Sequence, residues 1–171
     1  MCEAGAMSTD EDWERRVAAA WAAIDEYDEE SFRALIDGLA GELPDGHPVA
    51  AFERACAFDS TGRPDLAEPL YREALAGELP GERRRRAVIQ LASTVRNLGR
   101  PQESIDLLTA EPDRASDHLN DAVSCVLALA LTDAGREREA VSVAVGALAR
   151  HLPRYQRSMA AYARALADPG A

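Results

Sequence analysis

Arg83, Arg84, Arg85 and Arg86 stand in line at the head of "RRRRAVIQLASTVRNLGR". Planar guanidinium groups grip carboxylates and phosphates through paired hydrogen bonds. Such a run can therefore serve as an internal counter-charge, a subunit contact, a docking point for an acidic partner or a nucleic-acid patch. The chain as a whole is acidic: 30 carboxylates face 19 basic residues, every one an arginine, for a formal charge of −11. Nucleic-acid binders spread basic residues over one face and carry a high pI, so this balance argues against nucleic acid. Counter-charge, dimer contact and partner site all stay open.

Other side chains capable of chemistry are scattered. His47, His118 and His151 each sit near an expected helix end, and none has a second ligand at helical spacing. Cys2, Cys56 and Cys125 are too far apart for the paired spacing of a zinc site and read as reduced thiols. The sequence has no glycine-rich phosphate loop, no Gly-x-Ser-x-Gly elbow and no Cys/His pairing. Runs such as "TDEDWE" and "DEYDEES" read as solvated faces and helix starts. The expectation is a protein that is not an enzyme, with no catalytic residues, cofactor or metal. No apolar run approaches the roughly 18 residues needed to span a membrane. Met1 to Asp10 lacks the basic and apolar segments of a signal peptide, so the expected compartment is the cytoplasm.

The elements that must position these residues are helical. Alanine, leucine and arginine dominate, and β-branched runs are scarce. Three stretches align on a glycine: "STGRPDLAEPLYREAL", "NLGRPQESIDLLTA" and "DAGREREAVSVAVGAL". The glycines are Gly62, Gly99 and Gly135, spaced by 37 and 36 residues. Seven positions earlier stand Ala55, Ala92 and Ala128; four earlier, Phe58, Val95 and Leu131; five later, Ala67, Ser104 and Ala140. This describes a helix, a turn that needs positive φ, and a second helix, repeated. Pro64 and Pro101 suit the first turn of a following helix, and Pro80, Pro112 and Pro153 stop the second ones. Pro69 falls inside the second helix of its pair, as a tolerated kink or a hinge. A degenerate earlier copy places Tyr27 at the glycine position, with Ala20, Phe32 and Ile36 at the matching offsets. A last helix, "RYQRSMAAYARAL", closes the array through an apolar seam of Tyr155, Met159, Tyr162 and Leu166.

The pattern resembles the tetratricopeptide repeat, an antiparallel helix pair of about 34 residues. "ERRRRAVIQLASTVRNLGR" and "HLPRYQRSMAAYARAL" further resemble a small group of bacterial tetratricopeptide proteins of unassigned activity. The resemblance implies an all-α, right-handed α-α superhelix of about four helix pairs plus a C-terminal capping helix. It would occupy one domain over residues 12–167, between a disordered 1–11 and a 168–171 tail. It also implies protein–protein interaction, and a homodimer, with no catalytic residues to carry over.

In such a stack the first helices line a groove. The offsets place Trp21, Phe52, Arg86, Ile89, Ser93, Arg96, Asn97 and Leu129 on it as candidate partner-binding residues. The Arg83–Arg86 cluster opens a first helix, where cations oppose the macrodipole by about 0.3–1 kcal/mol each. Asp59, Glu78 or Asp121 are the expected internal counter-charges, and an acidic partner segment is the other. The functional expectation is a scaffold for a protein or peptide. Its alternative is a self-associating structural or regulatory subunit whose groove is filled by its own chain. An all-α enzyme and a nucleic-acid accessory are weaker readings.

Overall fold

The computed structural model describes residues 3–110 and 118–168. Among them it has no strand, one 3-10 turn (Ile24–Glu26) and nine α-helices. These are α1 (Glu3–Ala22), α2 (Glu29–Ala40), α3 (Pro48–Ser60), α4 (Pro64–Ala76) and α5 (Arg83–Asn97). The others are α6 (Pro101–Ala110), α7 (Asn120–Asp133), α8 (Glu137–Ala149) and α9 (Gln156–Ala167). The all-helical class and the repeated helix pair are as expected. Helix α1 begins at Glu3, inside the stretch 1–11 that the sequence reading leaves disordered. Pro112 and Cys2 lie outside the described residues. Where the sequence reading sets one domain over 12–167, the chain forms two compact units, residues 1–83 and 84–171.

The three glycine turns are copies of one another at the level of single hydrogen bonds. Gly62, Gly99 and Gly135 have φ of 72°, 80° and 72°. The arginine after each glycine donates its backbone N–H to the bulky residue four before the glycine: Arg63 to Phe58 at 2.9 Å, Arg100 to Val95 at 3.0 Å, Arg136 to Leu131 at 2.8 Å. This closes the helix end in a Schellman motif, and only a left-handed residue lets the chain turn back that far. The same arginine's carbonyl then accepts from the small residue five past the glycine, Ala67 at 3.0 Å, Ser104 at 3.3 Å and Ala140 at 3.0 Å. Those three residues are buried, so the small side chain is the point of close approach between paired helices. Each arginine side chain also reaches a carboxylate in the first turn: Arg63 to Asp65, Arg100 to Glu103, Arg136 to Glu139.

The first pair keeps the packing positions but not the turn. Phe32 and Ile36 are buried at 1 % exposure, whereas Tyr27 is extended (φ −115°) and 44 % exposed. Instead of a glycine, the 3-10 turn reverses the chain, and Asp28 caps α2 by accepting the Ser31 N–H at 2.9 Å. In unit 1, α2 and α4 pack against α3 around Phe32, Phe52 and Tyr71. Helix α4 runs unbroken through the exposed Pro69.

In unit 2, Ile89, Ala92 and Leu108 form one cluster with Val123 and Val126, and Ile105, Ala130, Leu131 and Ala140 form the next. Helix α9 packs on α8, with Met159 and Leu166 of the expected seam half-buried but its two tyrosines outside. Tyr155 and Tyr162 are 73 % and 64 % exposed, and the buried residue is Ala163. The reason is distance: Ser142 Oγ donates to the Ala163 carbonyl at 2.7 Å, and a Cβ on Gly146 would lie 3.9 Å from that of Ala163. Helices that close have no room for a tyrosine ring between them.

Candidate functional site

The arginine run is divided among different tasks by the geometry of its helix start. Arg83 turns into unit 1, where its guanidinium donates to both oxygens of Glu14, at 2.8 and 2.6 Å. Its Nε donates to Glu53 at 3.2 Å, and its cationic carbon lies 5.9 Å from the centre of the Trp13 ring. Glu53 sits mid-helix on α3 at 3 % exposure, so a charge there requires partners. It has two, since its other oxygen accepts the Trp21 indole N–H at 2.9 Å. Burial opposes the charge of Arg83, and the Glu14 bonds with the Glu53 charge outweigh it, so its pKa is raised. The indole N–H of Trp13 is satisfied separately by the Leu39 carbonyl at 2.8 Å.

In unit 2, Arg85 is buried and donates to the Asn120 side chain at 2.6 Å, while Arg84 and Arg86 are exposed. At the other end of α5, Arg96 pairs with Asp133 at 2.6 Å. The two contacts are 35 and 37 residues apart in sequence, which is the repeat spacing. They join start to start and end to end, so α5 and α7 run side by side in the same direction, as first helices of successive pairs must. Of the expected counter-charges, Asp121 is engaged by Arg150 at 2.6 Å and His151 at 2.8 Å. Asp59 accepts the Tyr71 hydroxyl at 3.4 Å. Glu14 and Glu53, which hold Arg83, escape a sequence reading. Glu53 has a signal all the same: it is the one carboxylate in the mostly apolar run "PVAAFERACAF", 30 residues before Arg83.

The expected groove residues separate on inspection. Phe52 is fully buried and packs against Tyr71 with ring centres 6.4 Å apart, and Ile89 is buried in the α5–α6 cluster. Both belong to the core and not to a binding face, because the second helix of the same pair covers the side on which the offsets place them. Trp21 is half-buried, held by Glu53 and by an edge contact with Phe32 at 5.0 Å. Ser93, Arg96 and Asn97 lie on α5 and Leu129 on α7, both in unit 2. Arg96 ties to Asp133, and Leu129, 50 % exposed, lies one turn before Asp133 on the same side of α7. Ser93 and Asn97 flank Arg96 on α5.

Tyr71 is pushed up by burial and by its neighbours Cys56 and Asp59, and so stays neutral. Among the described residues no three His, Cys, Asp or Glu side chains group as metal ligands. His47 instead caps α3, its Nδ1 accepting the Val49 N–H at 3.3 Å.

Comparison with protein families gives a match to the tetratrico peptide repeat over residues 48–166. The chain belongs to this family. The match covers both Gly62–Arg63 and Gly135–Arg136, so the tetratricopeptide assignment and the repeated turn geometry agree. Comparison with curated proteins and with solved structures finds no match. Tetratricopeptide repeats serve protein–protein interaction, because stacked pairs leave long faces of first helices open to a ligand. Among the described residues, no helix of this tetratricopeptide chain is long and apolar enough to cross a membrane.

Proposed function

We propose that this tetratricopeptide protein is a non-catalytic cytoplasmic scaffold that seats a protein or peptide segment on the α5–α7 face of its second unit. The observation that supports it is Leu129: a large apolar side chain, half in water, one turn from Asp133, which pairs with Arg96 of α5. An apolar spot inside a polar rim is the composition of a docking surface. The scaffold works as a homodimer, with Val141 and Leu148 of α8 as the contact. These lie two turns apart on one side of the helix and are 48 % and 58 % exposed. Two experiments test the two parts. Co-purification followed by mass spectrometry should yield a partner with the parent and lose it with Leu129→Asp. Sedimentation should give a dimer that Val141→Ser with Leu148→Ser dissociates. A Leu129→Asp variant that retains the same partner sinks the groove, and a parent that sediments as a monomer sinks the dimer.

A further inference from the structure

Carboxylates claim most of the arginines among the described residues, and around α9 several lack one. Arg16, Arg54, Arg96 and Arg136 each meet one at 2.5–2.7 Å. Between residues 150 and 167 there are four arginines and no aspartate or glutamate. Arg150 reaches back to Asp121, but Arg154, Arg157 and Arg164 make no ion pair among the described residues. Beside these cations stand two rings that the fold does not use, Tyr155 in the turn entering α9 and Tyr162 on the helix, at 73 % and 64 % exposure. They border an open depression of about 560 Å³ lined by Arg154, Tyr155, Arg157, Ser158, Ala161 and Tyr162.

The turn that presents Tyr155 is strained and held. With φ of 69°, Tyr155 is the only non-glycine residue in the left-handed region among the described residues. Its carbonyl accepts the Met159 N–H at 2.9 Å and the Ser158 hydroxyl at 3.0 Å. The Gln156 amide donates to the carbonyls of Arg150 and Leu152 at 3.1 and 2.9 Å, which braces the approach. Strain that ends with an aromatic ring in water does nothing for the chain's own core. Where such strain is maintained, recognition is the common reason.

We propose that this face of α9 is a second docking site, for an acidic peptide segment of a partner protein that also carries an apolar side chain. Tyrosine and arginine are the residues that dominate interface hot spots. Guanidinium forks without partners fit carboxylates, and the rings fit an apolar side chain between them. A nucleic acid fits less well, because a long polyanion would run from α9 onto a surface where carboxylates outnumber arginines. A short acidic peptide ends before it meets that repulsion. The site is built from α9 and its entering turn, so it does not depend on the α5–α7 face.

The test is fluorescence anisotropy with the full chain and a short dye-labelled glutamate-rich peptide carrying one leucine. A glutamine-for-glutamate counterpart and a mixed-sequence single-stranded oligonucleotide serve as competitors in kind. The glutamate peptide should bind the parent saturably, and the glutamine peptide should not. Arg154→Gln with Arg157→Gln should weaken binding by at least about tenfold, while the matching Lys pair keeps most of it. Tyr162→Ala should weaken binding without touching charge, and it decides the matter if the glutamine pair does not fold. Arg84→Gln and Leu129→Asp should bind like the parent. The proposal is overturned if the peptide does not saturate, if the α9 variants bind unchanged, or if Arg84→Gln abolishes binding. Tighter binding of the oligonucleotide, or a parent dimer that the glutamine pair dissociates, would also overturn it by assigning the face to nucleic acid or to a second copy.

Discussion

One substitution made at two glycines should have opposite effects, and the backbone decides the sign. At Gly99, φ is 80° and no atom lies within 4 Å of where a Cβ would stand. Alanine there meets no clash, so its whole cost is conformational. An L residue in the left-handed region loses about 1–2 kcal/mol, and the stiffer unfolded chain returns roughly 0.4–1. The net loss is about 1 kcal/mol. The turn has no cheap escape, because leaving positive φ breaks the bonds from Gly99 to Arg96 (2.9 Å) and from Arg100 to Val95 (3.0 Å). Gly146 lies inside α8, where an added Cβ would sit 3.9 Å from that of Ala163, an ordinary contact. Alanine gains about 0.5–1 kcal/mol there from helix propensity alone. For a chain of this length, 1 kcal/mol moves the melting temperature by about 2–4 °C. Thermal melts should therefore show Gly99→Ala about 3 °C below the parent and Gly146→Ala about 2 °C above it. Gly99→Val, branched at Cβ, should fall further than Gly99→Ala. A Gly99→Ala variant that melts with the parent or above it would refute the claim that positive φ is what these turns demand.

Removing Arg83 strands a buried carboxylate, so Arg83→Gln should cost about 2–3 kcal/mol in urea unfolding, and Arg84→Gln, at an exposed position, close to nothing. Gly77→Ala should destabilise for a steric reason, because its Cβ would come 2.8 Å from that of Pro48. Acid should weaken the fold in a defined window. Asp28 is held below its usual 3.8 by the Ser31 N–H, Glu42 below 4.5 by Arg16, Asp65 below 3.8 by Arg63 and Glu139 below 4.5 by Arg136. Depressed carboxylates contribute stability above their unfolded values and lose it as pH falls through the folded ones. Urea midpoints should thus be flat from pH 8 down to about 5 and decline below about 4.5, and Asp28→Asn should flatten that decline. Added salt should shrink the arginine-paired share and spare Asp28, whose depression is a local cap.

What could be read from the sequence was what local geometry dictates. The Gly-Arg turns announce themselves because six consecutive backbone positions carry the motif, and each copy repeats the small residue that the helix crossing requires. The charge partners of Arg83 were hidden because Glu14 and Glu53 lie 69 and 30 residues away, on helices whose rotation the sequence does not fix. Offsets counted along one helix place Phe52 and Ile89 on a row with exposed residues. Whether that row faces water or a neighbour depends on how far the paired helix wraps around. Tyr155 and Tyr162 mislead for a related reason. Their apolar character suggests an inward seam, but at Ser142 and Gly146 the helices come so close that a small residue, Ala163, stands at the crossing. In a stack of paired helices the smallest residues set the spacing, and the large ones occupy whatever space is left.

The same stacking explains why two arginine-rich helix starts differ. A cation at the head of a helix meets a helix dipole of its own sign, and relief has to come from a carboxylate on a neighbouring first helix. For Arg83, the last residue of unit 1, it comes from Glu53 of α3, 30 residues earlier, with Glu14 of α1 completing the set. For Arg154 and Arg157 the same step back along the chain lands on Ser124 and Leu127 of α7. Asp121, the carboxylate at the head of α7, is already held by Arg150 and His151. Arg83 is thus neutralised from within the chain and works as structure. The head of α9 keeps its charge for whatever acidic group arrives from outside.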